Sequence, residues 1–587
     1  MQQSVHQANS LRRVQIWYAC LMVILGVFVV RLFHLQVIRH DYYQQAALRA
    51  QLKQYEIEPE RGTVVAHNGD SITPIVLNQT LYTLYADPRY VKDPSATAVA
   101  IQKVIGGDVT TYLPKLTANS RYEILTKKIS KQQKDDIKAL KLKGVGARDT
   151  IYRTYPQGQL AAQVLGFVND EGDGQYGLEQ ALNNQLRGTP GRLRAITDAQ
   201  GIPLAANKDN IIVNPETGKT VLLTLDIGMQ KQLEDILKQQ VEETKASQGS
   251  ALVLDAHNGA VKAMANFPTY DPAEYSKVKD QAVFRNSSVS DAVEVGSIMK
   301  PLTMAAALDL GVVNKDSAYF DPNVWVIGDA AVRNVEGYAG QGTRTLADIL
   351  QLSLNTGATW LLMQMGGGEI NEKARVSWYD YLINRYQFSK PTGIEQSNEG
   401  SGIVPSPTDG YGLNIQYANS TFGQGQTETL LQMGAAIAAV LNGGTYYQPH
   451  LVDAYMRADG TQETQPPKVV KTGVVAPSVS KQIQALMESV VQKNKLIYGV
   501  KELRPEYSYG GKTGTAQIPK PTGGYYEDRF NGTFMGFVGG DEPEYVIVIE
   551  IREPRNISGF AGAQGAAPVY MRLADMLINN FGVKPRK

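Results

Sequence analysis

The run VQIWYACLMVILGVFVV, Val14 to Val30, carries no charged residue. It reaches the lower limit of about 17 residues for a membrane-crossing helix. Leu32, Phe33 and Leu35 extend the apolar surface past Arg31, whose guanidinium can snorkel to head groups. Arg12 and Arg13 precede the run, so the positive-inside rule sets residues 1–13 in the cytoplasm and the chain beyond about 38 outside. The run is long for the core of a cleavable signal and no A-x-A-like site follows it directly, so it reads as an anchor. Residues 38 to about 60 are polar with a helical texture, as in a stalk, and residues 61 to about 220 mix short strands with Gly and Pro turns. From Thr220 the pattern changes. TVLLTLD predicts a strand, and MQKQLEDILKQQVEE an amphipathic helix with Met229, Leu233, Ile236 and Leu237 on one face. SALVLDAHNGAVKAMAN predicts a hairpin turning at Asn258-Gly259. Helical segments follow as far as LLQMGAAIAAVLNGG, and strands return as YSYGGKTGTAQ, GTFMGFVGG and EYVIVIEIRE before a last helix, PVYMRLADMLINNF. Strands early and late with helices between them predict an α+β domain: an antiparallel sheet assembled from both ends of the segment, with helices on both faces.

Composition changes this picture little. A length of 587 residues argues for more than one domain. The net charge of +1 gives no basic bias of the kind a nucleic-acid partner calls for, so none is expected. One cysteine, Cys20, excludes an intrachain disulfide. The six histidines (His6, His34, His40, His67, His257 and His450) show no ligand spacing, and neither a metal site nor a cofactor is expected.

Candidate chemistry lies in DAVEVGSIMKPLTMAAALDLG, residues 291–311. Met299, Leu302, Thr303, Ala306 and Ala307 have the spacing of a buried helix. Lys300 enters in its first turn, three residues after Ser297, so the amine is delivered beside the hydroxyl where a charge is costly to bury. Two other S-x-x-K pairs occur. Ser276/Lys279 lies in polar sequence and reads as a solvated turn, and Ser478/Lys481 follows Pro477 and reads as an ordinary helix N-cap. LSLNTG supplies the only S-x-N, Ser353 and Asn355. GGKTGTAQ supplies Lys512, Thr513, Gly514 and Thr515, with glycines that let a ligand approach the backbone. A second K-T-G at Lys471 leads instead into the helix at 478.

S-x-x-K, S-x-N and K-T-G in this order mark penicillin-recognising serine enzymes, and the chain resembles a class B penicillin-binding protein, a bitopic peptidoglycan D,D-transpeptidase. RGTVVAHNGD and RTYPQGQLAAQVLGFVN…GQYGLEQ resemble the family's pedestal motifs, FRNSSVSDAVEVGSIMKPLT its active-serine segment, and TFGQGQTETLLQM and NGTFMGFVGG later landmarks. The organisation it implies is a cytoplasmic tail (1–13), one transmembrane helix (14–37), a mixed α/β pedestal (38–220) and a transpeptidase domain of serine β-lactamase-like fold (221–587). Three departures stand out: Ala66-His67 in place of Asp-Arg, Val295 in place of proline, and Ile298-Met299 in place of Thr-Phe. The reactive side chains are all retained.

The resemblance implies the following roles. Ser297 attacks the carbonyl between the two terminal D-alanines of a peptidoglycan stem peptide, and Lys300, kept neutral by burial and by Lys512 nearby, is its base. Ser353 relays the proton to the leaving group, Asn355 holds Lys300 and the substrate backbone, and Lys512 adds positive potential. Thr513 and Thr515 are candidates for the terminal carboxylate, with Gly514 between them, and the backbone N–H groups of Ser297 and Thr515 form an oxyanion hole. β-Lactam antibiotics acylate the same serine. The phrasing of VSDAVEVGS and TFGQGQTETLLQM is closer to division-specific (FtsI-type) members than to elongation-type ones. It implies a SEDS-family glycosyltransferase and other divisome membrane proteins as partners, at the bacterial cytoplasmic (inner) membrane with the catalytic domain periplasmic. The other readings are an elongation-type transpeptidase, a membrane-anchored β-lactam sensor or β-lactamase, and a non-catalytic divisome scaffold. Arg61, Arg153 and Glu179 are expected to pair internally or to touch a partner.

Overall fold

The computed structural model describes residues 2–44, 52–196, 211–335, 340–457, 460–520 and 522–587. The chain forms two compact units. One comprises Met1–Glu60 with Gly188–Gly218. Its helix Gln2–Phe33 runs on through a π-turn, His34–Ile38. Val14–Ile38 is the one helix among the described residues that is long and apolar enough to cross a membrane. The polar helix expected beyond it does not reach residue 60. Residues 40–44 are helical, residues 45–51 lie outside the described residues, and Leu52–Ile57 is a strand. That strand pairs antiparallel with Gly191–Ile196, which pairs with Ile211–Val213. A partner some 140 positions away supplies its hydrogen bonds, and local periodicity carries no trace of that.

The second unit comprises Arg61–Arg187 and Lys219–Lys587. Its first part is organised by a 16-residue strand, Ser71–Ala86, paired with Val64–Asn68, Glu123–Ile129 and Val145–Thr154. The strand Thr220–Asp226 joins this sheet: it runs parallel to Val64–Asn68 and antiparallel to Val452–Met456. Where His67 departs from the family pattern, its Nε2 lies 2.9 Å from Asp453 Oδ2 across that sheet. Buried beneath it, Glu179 accepts from Arg61 Nε (2.7 Å) and Arg153 Nε (2.8 Å), so these three residues pair internally. Arg61 also donates to Asn183, and Arg153 to Asn78.

The larger part is built on five antiparallel strands. Helix α1 (Ile227–Thr244) precedes β1 (Gln248–Asp255) and β2 (Val261–Phe267), joined at the expected Asn258-Gly259 turn. Then come α2 (Lys300–Asp309), α3 (Asn355–Met365) and α4 (Leu430–Leu441). The chain returns with β3 (Ser508–Pro519), β4 (Tyr525–Gly539) and β5 (Pro543–Arg552), and closes with α5 (Ala567–Asn580). The sheet order is β2–β1–β5–β4–β3, so both ends of the domain meet at β1–β5 and β3 is an edge strand. Successive side chains point to opposite faces. Leu252, Met264, Met535, Phe537 and Val548 pack with α2 and α4 on one face. Val253, Phe534, Val538, Ile547 and Ile549 pack with α1 and α5 on the other. Both faces are covered, so β5 is a continuous apolar run instead of an alternating one. Each Leu- or Phe-sized side chain so buried contributes about 1.5–3 kcal/mol. Helix α4 is buried all round and lies so close to β1 that a Cβ on Gly434 would stand 2.7 Å from Leu254 Cδ1.

One buried acid runs against this apolar core. Glu428 is fully buried, and neither carboxylate oxygen has a hydrogen-bond partner among the described residues. Burial, and then the neighbouring Glu294, hold its carboxyl well above the ordinary 4.5.

Two stability outcomes are expected. Glu179→Ala leaves two buried guanidiniums facing each other and should cost about 3–5 kcal/mol in urea unfolding. Glu428 keeps its proton in the folded chain above the pH at which the unfolded chain releases it. Its contribution therefore fades as pH rises from about 4.5. Glu428→Gln should gain on the parent as pH rises above about 4.5; a constant offset would show that the carboxyl is ionised when folded.

Candidate active site

Ser297 sits in a single 3₁₀ turn, Gly296–Met299, that feeds directly into α2. In 3₁₀ geometry residues i and i+3 eclipse. Ser297 therefore stands directly over Lys300, the first residue of the α-helix, and Lys300 Nζ is 2.8 Å from Ser297 Oγ. The core residues foreseen for this helix, Met299, Leu302, Thr303, Ala306 and Ala307, are all fully buried. Gly296 (φ +66°) makes the turn possible. The backbone of the TFGQG segment backs it: Gly296 N–H donates to Gly423 O (3.0 Å), and a Cβ on Gly423 would stand 2.2 Å from Gly296 O.

Ser353 lies between the helix Leu346–Gln351 and α3, in the left-handed region (φ +56°). That conformation costs a non-glycine residue roughly 1–2 kcal/mol. It turns both the carbonyl and the hydroxyl of one residue towards Lys300 Nζ, at 2.7 and 3.2 Å. Asn355 Oδ1 accepts from the same amine at 2.8 Å, while its Nδ2 donates to the Arg333 carbonyl at 3.0 Å. A carbonyl can only accept, so Arg333 fixes which way the Asn355 amide points. From the edge strand β3, Lys512 Nζ donates to Ser353 Oγ (2.9 Å) and to Thr513 O (2.8 Å).

The Ser353 carbonyl and Asn355 Oδ1 offer no proton, so each must receive an N–H from Lys300. A neutral amine has two N–H groups and one lone pair. With both N–H groups spoken for, the lone pair is left for a serine hydroxyl. Electrostatics favours this form. Lys300 is fully buried, and burial, then the nearby Lys512, hold its amine well below the usual 10.5. The Phe422 ring, 5.8 Å from Nζ, closes that pocket. Burial also brings Lys512 down to about 7.

Thr513 and Thr515 are partly exposed and, two apart on a strand, share a side; Lys512 and Gly514 alternate with them and are buried. Thr515 Oγ1 also accepts from Gly562 N–H (3.2 Å). Gly514 permits close packing: a Cβ there would stand 2.2 Å from Thr533 Oγ1 and 2.9 Å from Val295 O. Gly296 abuts Thr515, its hypothetical Cβ 3.4 Å from Thr515 N, which brings the serine turn against the strand backbone. Ser297, Lys300, Ser353, Asn355 and Lys512 thus form one hydrogen-bonded chain, with Thr513, Gly514 and Thr515 on the strand beside it.

The other motif copies lie elsewhere. Ser276 and Lys279 are exposed, and Lys471 sits in a short exposed strand. Ser478 and Lys481 are exposed too, and the helix N-cap is Ala476, two residues before Ser478. Pro477 takes the first helical position, where its missing N–H costs nothing, and this moves the cap back from the serine. Sequence reasoning passed over Thr533, whose Oγ1 donates to Val295 O (2.9 Å) and pins the serine turn to β4. It also passed over Glu294, which accepts from Gly425 N–H (2.9 Å) and Tyr525 O–H (2.8 Å). Both lie in segments that resemble the family, but their partners, Val295 and Gly425 with Tyr525, come from other parts of the chain, so nothing local marks these contacts.

Comparison with known proteins agrees with this geometry. Residues 249–575 match the family described as penicillin binding protein transpeptidase domain, and residues 56–223 the penicillin-binding protein dimerisation domain. Stage V sporulation protein D of Bacillus subtilis is 30% identical over 576 residues, covering 96% of this chain and 85% of its own. The peptidoglycan D,D-transpeptidase FtsI of Escherichia coli is 27% identical, covering 96% and 91%. Among solved structures, penicillin binding protein 3 of Mycobacterium tuberculosis, complexed with ampicillin, superposes with a TM-score of 0.67 at 25% identity, covering 91% of this chain and 97% of that one. A serine, a buried amine and a K-T-G strand meeting in this fold, within a match that spans most of the chain, make it a member of the class B penicillin-binding proteins, the serine acyl-transfer enzymes that act as peptidoglycan D,D-transpeptidases.

Proposed function

We propose that this transpeptidase crosslinks stem peptides at the division septum through an acyl-enzyme on Ser297, with Lys300 as general base. The observation that carries the assignment is the 2.8 Å contact between the Ser297 hydroxyl and an amine whose hold on its proton burial weakens. Ser297 Oγ adds to the carbonyl between the two D-alanines and its proton passes to Lys300. The C–N bond then breaks, and the departing D-alanine nitrogen takes a proton handed on by Ser353. The ester left on Ser297 is attacked by an amine of a second stem peptide. Lys300 takes a proton from that amine and returns it to Ser297 Oγ as the ester C–O bond breaks, so a new amide forms and the free serine is restored. Lys512, while cationic, supplies positive potential for the terminal carboxylate, which Thr513 and Thr515 bind, and the backbone N–H groups of Ser297 and Thr515 stabilise the oxyanion. A β-lactam acylates Ser297 in the same way; the ampicillin complex of the mycobacterial protein supports that reading.

The wider reading follows from the same likeness. Residues 1–13 face the cytoplasm, 14–37 cross the bacterial inner membrane, 38–220 form the pedestal and 221–587 the periplasmic transpeptidase domain. A SEDS-family glycosyltransferase and other divisome proteins meet it through the membrane helix and pedestal. The names of the relatives, FtsI and a sporulation protein, favour a division-type role. Midcell recruitment of a fluorescent fusion, with filamentation on depletion, is the expected outcome; uniform lateral signal with rounding assigns it to elongation.

Fluorescent penicillin should modify the parent at Ser297, mapped by mass spectrometry, and leave Ser297→Ala unlabelled. An adduct on any other residue rejects the mechanism, and hydrolysis within seconds instead of minutes to hours makes the chain a β-lactamase. Lys300→Met should slow acylation by about 10²–10⁴-fold, the range for loss of a general base.

The second-order acylation rate should be bell-shaped in pH. It rises as Lys300 loses its proton, well below 10.5, and falls as Lys512 loses its charge near about 7. In Lys512→Arg the charge persists, so the alkaline limb should vanish from whatever rate remains.

A further inference from the structure

The pedestal carries a feature that acyl transfer does not use. Helix Pro94–Ile105 is capped by the Asp93 side chain and buries Thr97, Ala98 and Ile101 against the small core around Leu84, Tyr112 and Leu125. That accounts for one face. Ser95, Ala96, Val99, Ala100 and Lys103 form a second row at helical spacing, and together with Val104, which also packs against that core, they line an open groove of roughly 490 Å³. Leu140, at the end of the helix Lys131–Ala139, forms the other wall. Val99 and Leu140 are each more than two-fifths exposed. A solvent-facing helix row normally carries charged and polar side chains; in this one only Ser95 and Lys103 are polar.

Charge around the groove is one-sided. Residues 88–150 hold thirteen Lys and Arg against six Asp and Glu, a surplus of seven in a chain whose net charge is +1. Lys103 lies on the groove, and Lys138 and Lys141 flank Leu140 in sequence, all three exposed. Asp136, one turn before Leu140, accepts from Gln132 Nε2 (2.8 Å). Three other lysines of this subdomain are tied down: Lys127 pairs with Asp170, Lys134 with Asp149, and Lys115 donates to the carbonyls of Ile124 and Leu125.

We propose that the groove between helix Pro94–Ile105 and Leu140 is the docking site for an amphipathic helix of a partner protein, one with an apolar stripe flanked by Asp and Glu. Two alanines one turn apart, Ala96 and Ala100, let a second helix approach closely, and interaxial distance follows the side chains at the contact. The apolar row takes the stripe in helix-in-groove fashion, while Lys103, Lys138 and Lys141 meet its acidic borders and set its orientation. A plain anionic polymer would match the charge and leave the apolar row uncovered. The inference goes beyond the acyl-transfer reading and does not depend on it.

The test uses the full chain in zwitterionic nanodiscs, empty discs as blank, and a fluorescent peptide of about three heptads with Leu at a and d and Glu at e and g. Fluorescence anisotropy should show saturable binding that weakens as salt rises from roughly 0.05 to 0.5 M. Ala100→Arg and Val99→Asp, independently, should each weaken it at least about tenfold, and Lys103→Glu by several-fold. Fluorescent-penicillin labelling of these variants should equal the parent's, which reports separately on the active site and on folding. No saturation by about 1 mM, or undiminished binding by both groove variants, overturns the proposal. So does equal binding of a peptide with Lys at e and g, or of polyglutamate without the apolar stripe, the last of which would make the surface a polyanion site.

Discussion

Two primary amines, Lys300 and Lys512, are held almost out of reach of water on either side of one hydroxyl, that of Ser353. Removing an ammonium from water costs several kcal/mol unless opposite charge meets it, and no carboxylate contacts either amine among the described residues. Loss of the proton relieves that cost, and the second amine makes retention by the first still less favourable. Much of the surrounding structure serves to maintain this arrangement. It requires a helix buried from its first residue, a sheet edge that brings Lys512 from the far end of the domain, and acceptors that saturate the N–H groups of Lys300.

Those requirements explain several local oddities together. Ser353 tolerates a left-handed backbone because that conformation alone turns its carbonyl and hydroxyl to the same amine. Gly296, Gly423 and Gly514 stand where three backbone segments press against one another, and a Cβ at 423 or 514 would meet an oxygen at 2.2 Å. Thr533 fastens the serine turn to β4, so the position of the Ser297 hydroxyl is set by the sheet as well as by its own helix. The sheet can act as that reference because it is packed on both faces, leaving its strands little freedom to shift.

The pedestal follows a different logic. Its interior is pinned by one carboxylate shared between two arginines, Glu179 with Arg61 and Arg153, an arrangement that stabilises one packing by leaving every alternative with unpaired charge. Within it, residues 88–150 are basic while the chain as a whole is nearly neutral, so the charge is segregated by region. A core that fixes shape and a surface that carries charge and an apolar groove suit a platform for other proteins better than a spacer.

Much of this could be read along the chain. The membrane-length helix, the Asn258-Gly259 hairpin, the strands of the closing sheet and the buried face of α2 follow from periodicity and turn chemistry, which act over a few residues. The motifs Ser297/Lys300, Ser353/Asn355 and Lys512–Thr515 were visible through their resemblance to a known family. The strand Leu52–Ile57 was not, because its partner lies at 191–196; nor was the cap at Ala476, because Pro477 displaces the serine that local rules would choose. Sequence by itself determined which elements form and which side chains bear chemistry. Tertiary structure alone decided that the Lys300 amine meets residues 53, 55 and, through Ser353, 212 positions along the chain. Burial and convergence depend on contacts between distant segments, and a lysine's charge state follows from them, not from its neighbours in sequence.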